Sequence, residues 1–357
     1  MTQVEVLRAG ELTPTLLERW SAIQRSDPGY ASPFFHPRFT QLVAQARSDV
    51  RVAVLHDGDR AAGFFPFQRN WLGIGYPAGW GMCDYQGAVV QSGLSWSVPE
   101  LMRACGLRSF QFDHLPVAQE PFSPYQRARS VSPLIDLSQG FERYERAQQQ
   151  AGRGRTFSRL RSRWRRLQSE HGAVRFEPHV DDPTTLARLL EWKADQYRRT
   201  GMADLLARPW FRQVIESAAS ASSDGFSGVL SALYAGARPV ALHLGLRSDQ
   251  VWHYWLPAHD VDESLSRCSP GLLLILAMTQ SAESMGISWI DFGKGDARHK
   301  REFANSQVAL AEGSAGNSPI AQAVRLRRRA RSLAQRSRLG PRVRRLIKRA
   351  GAAGDDD

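Results

Sequence analysis

The chain has 357 residues, 42% of them apolar, with ten tryptophans and a formal net charge of +12. That length and apolar content exclude an intrinsically disordered chain and exceed what one core usually organises, so two folded units are expected. From Gly316 onward twelve Lys or Arg stand against three Asp, a +9 tail on a +3 body, which argues against reading the whole protein as a nucleic-acid binder.

In chain order, Leu16, Leu17, Trp20 and Ile23 recur at helical spacing and predict a helix from Thr13 to Gln24. VRVAVLHDGDRAAGFFPFQRN places a D-G turn between two strand-like runs and predicts a hairpin. A Gly- and aromatic-rich stretch, WLGIGYPAGWGMCDYQGAVV, follows, and then strand-like RSFQFDHL and SPLIDL close the first region near Leu137. From Gly152 to Gly172, Phe157, Leu160, Trp164 and Leu167 form one helical stripe, with seven arginines from Arg153 to Arg166 on the other faces. This helix is expected to open a second unit. Its arginines read either as a solvated face or as contacts for an anionic partner.

VRFEPHV predicts a strand, and Asp182 followed by Pro183 predicts a capped helix reaching about Arg199. Between Phe226 and Asp260 three strand-like runs divided by AGAR and RSDQ predict an antiparallel meander, in which His243 and His253 read as strand histidines. RCSPGLLLILAMTQSAESMG predicts an apolar helix opened by Ser269, Pro270 and Gly271, before a strand ISWIDFG. Free N–H groups and the positive end of the dipole make residues Ser269, Pro270, Gly271 and Leu272 a candidate anion site, set against an ordinary helix start. After the strand, Asp291, Asp296, His299 and Lys300 bring four titratable groups within ten residues, as a candidate catalytic cluster or a solvated turn. Ser318 and Pro319 would then open a basic helix that Gly340 and Pro341 break, with a second short helix at Leu346 and Ile347. No internal sequence repeat is evident.

Several chemistries lack their motifs. The D-F-G at Asp291, Phe292 and Gly293 has no Gly-rich loop, strand lysine or H-R-D partner of a kinase. There is no Walker loop, G-x-S-x-G elbow or H-E-x-x-H, and the D-x-D of Asp260 and Asp262 reads as a polar loop. Cys83, Cys105 and Cys268 form neither C-x-x-C nor a zinc pattern, so no disulfide framework and no metal are expected. The N-terminus lacks a leader pattern and no run approaches the roughly 18 apolar residues of a span, so a cytoplasmic chain is expected.

The meander, the S-P-G helix and the D-F-G-K-G-D strand, in that order, resemble the CelD-type branch of the GNAT acyltransferases, associated with cellulose and exopolysaccharide biosynthesis and related to Fem-type aminoacyltransferases. The resemblance runs from about Gly152 to Gly313. It implies an α/β mixed-sheet, GNAT-like fold: a degenerate GNAT-like domain at 1–146, a GNAT acyltransferase domain at 147–315 and a basic helical tail at 316–357. It also implies acetyl-CoA or another acyl-CoA as co-substrate, its pyrophosphate at Ser269, Pro270, Gly271 and Leu272. The acceptor would be a sugar or polysaccharide precursor, and the tail could meet an anionic membrane surface. Asp291 is the first candidate for base or acceptor positioning and Asp296 the second, with Lys300 pairing an aspartate or an anionic ligand. His299 stands where the family more often has Tyr. Tyr254 and Trp255 are candidate acceptor-cleft residues, or core. The alternatives are a tRNA-dependent Fem-like transferase and a degenerate scaffold or sensor.

Overall fold

The computed structural model describes residues 2–316. The helices expected at Ser318 and beyond lie outside these residues. The first half runs β1 (Gln3–Arg8), α1 (Pro14–Ser26), α2 (Pro37–Ala46), β2 (Val50–Asp57), β3 (Arg60–Arg69), β4 (Ile74–Pro77), β5 (Val89–Val90), α3 (Val98–Ala104), β6 (Ser109–Pro116) and β7 (Gln126–Asp136). α4 (Phe141–Gln148) and α5 (Gly154–His171) lead into the second half. There follow β8 (Val174–Glu177), α6 (Pro183–Thr200), α7 (Pro209–Ala219), β9 (Ser222–Ser223), β10 (Phe226–Ala235), β11 (Arg238–Arg247) and β12 (Val251–His259). α8 (Pro270–Ser281), β13 (Trp289–Asp291), α9 (Arg298–Phe303) and β14 (Ser306–Ala315) complete it.

The expected elements form for the reasons the sequence supplies. Thr13 caps α1 by accepting from Leu16 N–H, with Pro14 at the first helical position, and Asp182 accepts from Thr184 and Thr185 at the start of α6. The sequence reading carries no expectation for several elements, among them β1, α4 and α9, the short α2, α3 and α7, and β14 with its few large apolar residues. α2 and α7 each open on a proline, at Pro37 and Pro209, which was the available signal. The strand expected over ISWIDFG is only three residues long in the sheet.

Although the sequence shows no repeat, the two halves share one element order: strand, two helices, three antiparallel strands, a helix and a strand parallel to the last of the three. All of it joins one sheet, ordered β1-β2-β3-β4-β6-β14-β7-β13-β12-β11-β10-β8, which reads alike from either edge. An approximate twofold thus passes between β14 and β7. At the centre the halves exchange strands, β7 pairing with β13 and β14 with β6.

Period-two alternation sorts the side chains between two faces. Val52, Val54, Phe64, Leu230 and Ala232 join a core that both halves share beneath α1, α2, α6 and α7. Ala53, Leu55, Phe65 and Phe67 face the core of α3, and Val229, Leu233 and Ala235 face that of α5 and α8.

Candidate active site

β12 and β13 lie parallel for only three pairs, Val251 with Trp289, Trp252 with Ile290 and His253 with Asp291. Beyond His253, β12 runs on to His259 with no length of β13 opposite it, so the sheet splays open at this point. β12 also bulges there. Leu244 pairs with Leu256 but Leu246 with His253, which leaves Tyr254 and Trp255 opposite Gly245 alone. A Cβ at Gly245 would sit 2.6 Å from His253 O, so the bulge excludes any side chain at that position.

On the face shared with the first half, the splay point meets the Gly-rich run between β4 and β5. His253 is fully buried, and its Nε2 lies 2.7 Å from Asp84 Oδ2. Its Nδ1 has no hydrogen-bond partner and stands 3.7 Å from Asp291 Oδ1. Asp291, also buried, accepts from Tyr85 Oη and Ser132 Oγ (2.5 Å each) and from Gly293 N–H (2.8 Å). The other Asp84 oxygen faces His114 Nε2 at 3.5 Å, and His114 Nδ1 lies 2.8 Å from Asp113 Oδ1. Gln86 Oε1 accepts from both Asp113 N–H and His114 N–H, which fixes that corner of β6.

The charges follow from these contacts. Burial opposes ionisation of Asp84, but the hydrogen bond from His253 and the charges of His253, His114 and Lys300 hold its carboxyl below the usual range. Asp113 behaves alike: burial raises it, and the bond from His114 with help from Gln86 and Lys294 brings it lower. Burial and then the Asp291 charge push Tyr85 well up, so it remains a phenol that donates. Asp84 and His114 keep 26% and 18% of their side-chain surface open, so they form the reachable end of the network. Gly293, at φ +68°, closes against it; a Cβ there would come 2.7 Å from Asp84 Oδ2.

On the opposite face a pocket of about 310 Å³ opens at the N-terminus of α8. It is lined by Ser269 and Leu272 of that terminus, Arg159 and Arg163 of α5, and Arg298 and His299 of α9, among others. Ser269 has φ +53°, the only non-glycine positive φ among the described residues, and its side chain does not cap the helix. Local strain of this kind costs about 1–3 kcal/mol and is held where the surroundings over-determine it. One acid, Glu302, also lines the pocket and pairs with Arg298 at 2.7 Å. The equivalent helix of the first half is closed: Ser97 caps α3 by accepting from Glu100 N–H and donates to the Glu100 carboxylate (2.8 Å), which puts the chain's own anion there.

The structure separates the candidates read from the sequence. Ser269, Pro270, Gly271 and Leu272 do open the helix at the pocket, and His299 lies with them, its ring edge-on to Phe292 at 6.2 Å; burial and then Lys300 lower its pKa. Asp291 lies on the other face. Lys300 donates to Gly293 O and Lys294 O and so ties the loop, while burial lowers its pKa. Asp296 is exposed and pairs with Arg301 at 3.2 Å. Tyr254 is buried on the α8 side, stacked on His243, whereas Trp255 is half-buried and donates to Met82 O. Sequence reasoning missed Asp84, Tyr85, Asp113, His114 and Ser132. Adjacent Asp113 and His114 interrupting the apolar strand SFQFDHL were a usable signal; Asp84 and Tyr85, inside a glycine-rich run, gave none. No group of three or more His, Cys, Asp or Glu among the described residues is placed to hold a metal.

An acetyltransferase (GNAT) domain profile matches residues 154–301. No curated protein matches the chain. Among solved structures, FemX superposes with a TM-score of 0.58 at 12% identity, over 90% of this chain and 99% of that one. The C-terminal domain of a candidate lysylphosphatidylglycerol synthetase from Agrobacterium fabrum gives 0.54 at 14%, over 87% and 94%. These likenesses show the fold, a GNAT-like mixed α/β sheet, and the domain match supports a transferase.

Proposed function

We propose that the chain transfers an acyl group from acyl-CoA, seated at the α8 pocket, to an amine or hydroxyl of a sugar-containing acceptor held against the first half. The observation that carries this reading is the pocket itself. A helix N-terminus, left uncapped by a strained Ser269, opens between Arg159, Arg163 and Arg298 beside the splay of β12 and β13. Diphosphate is favoured there by the dipole, by the Gly271 N–H and by Arg159 and Arg163, with Arg298 already paired to Glu302, whereas α3 has filled its own terminus with Glu100. On this reading 147–315 is the transferase domain and 1–146 a degenerate copy that has kept the fold and supplies acceptor contacts.

The donor enters on the α8 face and its thioester reaches the splay. The acceptor approaches on the opposite face, at Asp84 and His114. Holding both partners there supplies much of the rate through proximity. His114, oriented by its Nδ1–H donating to Asp113 Oδ1, takes the acceptor proton at Nε2 as the acyl–sulfur bond breaks and CoA leaves as its thiolate, and Asp84 binds the acceptor amine or hydroxyl. Asp291 is a positioning residue, because its carboxylate is filled by Tyr85, Ser132 and Gly293 and reaches an acceptor only through His253 and Asp84. Trp255 stands at the bulge, next to that face. The CelD-type resemblance supports a sugar or polysaccharide precursor as acceptor.

Titration calorimetry with acetyl-CoA and CoA tests the donor. The full chain should bind, with stabilisation of about 2.7 kcal/mol at a hundredfold excess over Kd, and the Arg159→Glu, Arg163→Glu double variant should weaken binding at least about tenfold through lost charge-assisted contacts. Absence of binding at millimolar CoA sinks the reading. A second reading, aminoacyl-tRNA as donor, draws on the exposed Arg155, Arg161 and Arg165 that continue the α5 cations outside the pocket. It requires salt-sensitive tRNA binding that those three arginines control.

A further inference from the structure

β12 makes its last pair with β13 at His253, so Tyr254 is the first residue past the splay, and its side chain turns to the α8 face. Trp255, next in the chain, turns to the face shared with the first half. Tyr254 is 8% exposed and its ring is held on two sides, stacked on His243 (4.8 Å, 17°) and met edge-on by Phe292 (5.6 Å, 83°). Among the described residues its Oη makes no hydrogen bond. A buried tyrosine ordinarily finds a partner for that group, because a buried donor left alone forfeits its bonds to water. Tyr85 and Tyr144 do so, donating to Asp291 Oδ2 (2.5 Å) and Phe303 O (2.6 Å). A ring kept only for packing would be served by phenylalanine, as at Phe292, with no hydroxyl to satisfy.

Burial pushes the Tyr254 pKa up, and His243 beside it stays neutral, its own pKa lowered to about 3 by burial and then by His253. The group is therefore a phenol that donates, not a base. The donor pocket leads to it. His299, which lines that pocket, meets Phe292 edge-on (6.2 Å, 83°), so one aromatic row runs from the pocket to Tyr254. At the far end of β12, a Cβ at Gly271 would stand 3.4 Å from His259 Nδ1, which sets the start of α8 beside His259. From His259 back to Tyr254 is roughly 16 Å at the rise of a strand, a length that suits the extended pantetheine arm between the diphosphate of CoA and its sulfur.

We propose that Tyr254 is a catalytic residue on the donor side, its phenol donating a hydrogen bond to the carbonyl oxygen of the acyl thioester. The inference rests on acyl-CoA as donor and adds to that reading the group that meets the reacting carbonyl. As the acceptor nitrogen or oxygen adds to the carbonyl carbon, an electron pair moves onto the carbonyl oxygen, and the bond from Tyr254 strengthens with the growing charge. The pair returns when the carbon–sulfur bond breaks and the thiolate leaves, and the phenol keeps its proton throughout. His243 and Phe292 fix the ring before the donor arrives, so the donor group needs no reorganisation, and its apolar setting makes one hydrogen bond count for more than in water.

Tyr254→Phe removes the hydroxyl and keeps the ring. Because that hydroxyl has no partner among the described residues, the variant should unfold at the same temperature as the parent chain or higher. Titration calorimetry should find CoA, which carries no carbonyl at its sulfur, bound equally by both chains, and acetyl-CoA weakened about two- to tenfold in the variant, the worth of one neutral hydrogen bond. Infrared difference spectra with acetyl-CoA isotope-labelled at the carbonyl carbon read the contact itself. The carbonyl stretch should fall to lower wavenumber on the parent chain and return close to its free value on Tyr254→Phe. An equal shift on both chains, or no shift on a parent chain that binds acetyl-CoA, would overturn the proposal. So would a variant weakened equally towards CoA and acetyl-CoA, the mark of a packing role. Failure of CoA itself to bind the parent chain overturns the acyl-CoA reading and this inference with it.

Discussion

His36 is buried with both ring nitrogens committed. Its Nδ1 accepts from Arg38 N–H to cap α2, and its Nε2 donates to Asp224 O, each at 3.1 Å. Burial pushes its pKa down to about 4, because the proton would displace the capping contact and charge a buried ring. The unfolded chain takes up that proton first, near pH 6.5, so the contribution is complete above 6.5 and lost as pH falls towards 4; its size is roughly 3 kcal/mol. Urea unfolding from pH 7 to 4 should show this loss, and His36→Asn, which keeps a capping oxygen but does not titrate, should flatten that part of the slope. An unchanged slope in the variant would refute the assignment. At the same scale, Asp291 could be read from its place at a strand end, but its role could not. Its partners Tyr85 and Ser132 lie 206 and 159 residues away in the chain.

α8 and α3 are equivalent helices with opposite starts. Ser97 and Glu100 form a cap readable from S-x-x-E spacing. The S-P-G start of α8 was equally legible as a helix opening, but not the left-handed backbone of Ser269 or the arginines that α5 brings to it. The stripe Phe157, Leu160 and Leu167 faces the core and fixes which arginines turn to α8; the sequence alone left those side chains between solvent and ligand. A left-handed non-glycine residue costs about 1–2 kcal/mol, most for a β-branched side chain. Ser269→Val should therefore lower unfolding free energy by about that amount, while Ser269→Gly should leave it the same or higher. Equal stability of all three chains in denaturant titration would show that the backbone is not strained.

Across the whole molecule, the exchange of β7 and β14 makes the halves depend on each other. β14 bonds to β6 of the first half and to β7, which in turn holds β13 of the second. The core beneath α1, α2, α6 and α7 draws on both halves as well. Calorimetry should then find one transition with equal van't Hoff and calorimetric enthalpies, despite a length at which two domains usually separate. A chain ending at residue 305, which lacks β14, should lose cooperative folding in both halves. Two separate transitions in the full chain would contradict this. No helix among the described residues is long and apolar enough to cross a membrane.

Local physics made the sequence legible where a signal sits within a few residues: apolar spacing for α1, α5 and α8, the D-G turn of β2 and β3, the cap of α6, the S-P-G start of α8, and the meander. Those features determine the fold class and the start of α8, where the anion site is proposed. The twofold arrangement, the strand exchange and the Asp84–His253–Asp291 network required tertiary structure. Their energies come from hydrogen bonds and burial between segments far apart in the chain, and local pattern carries no record of those pairings.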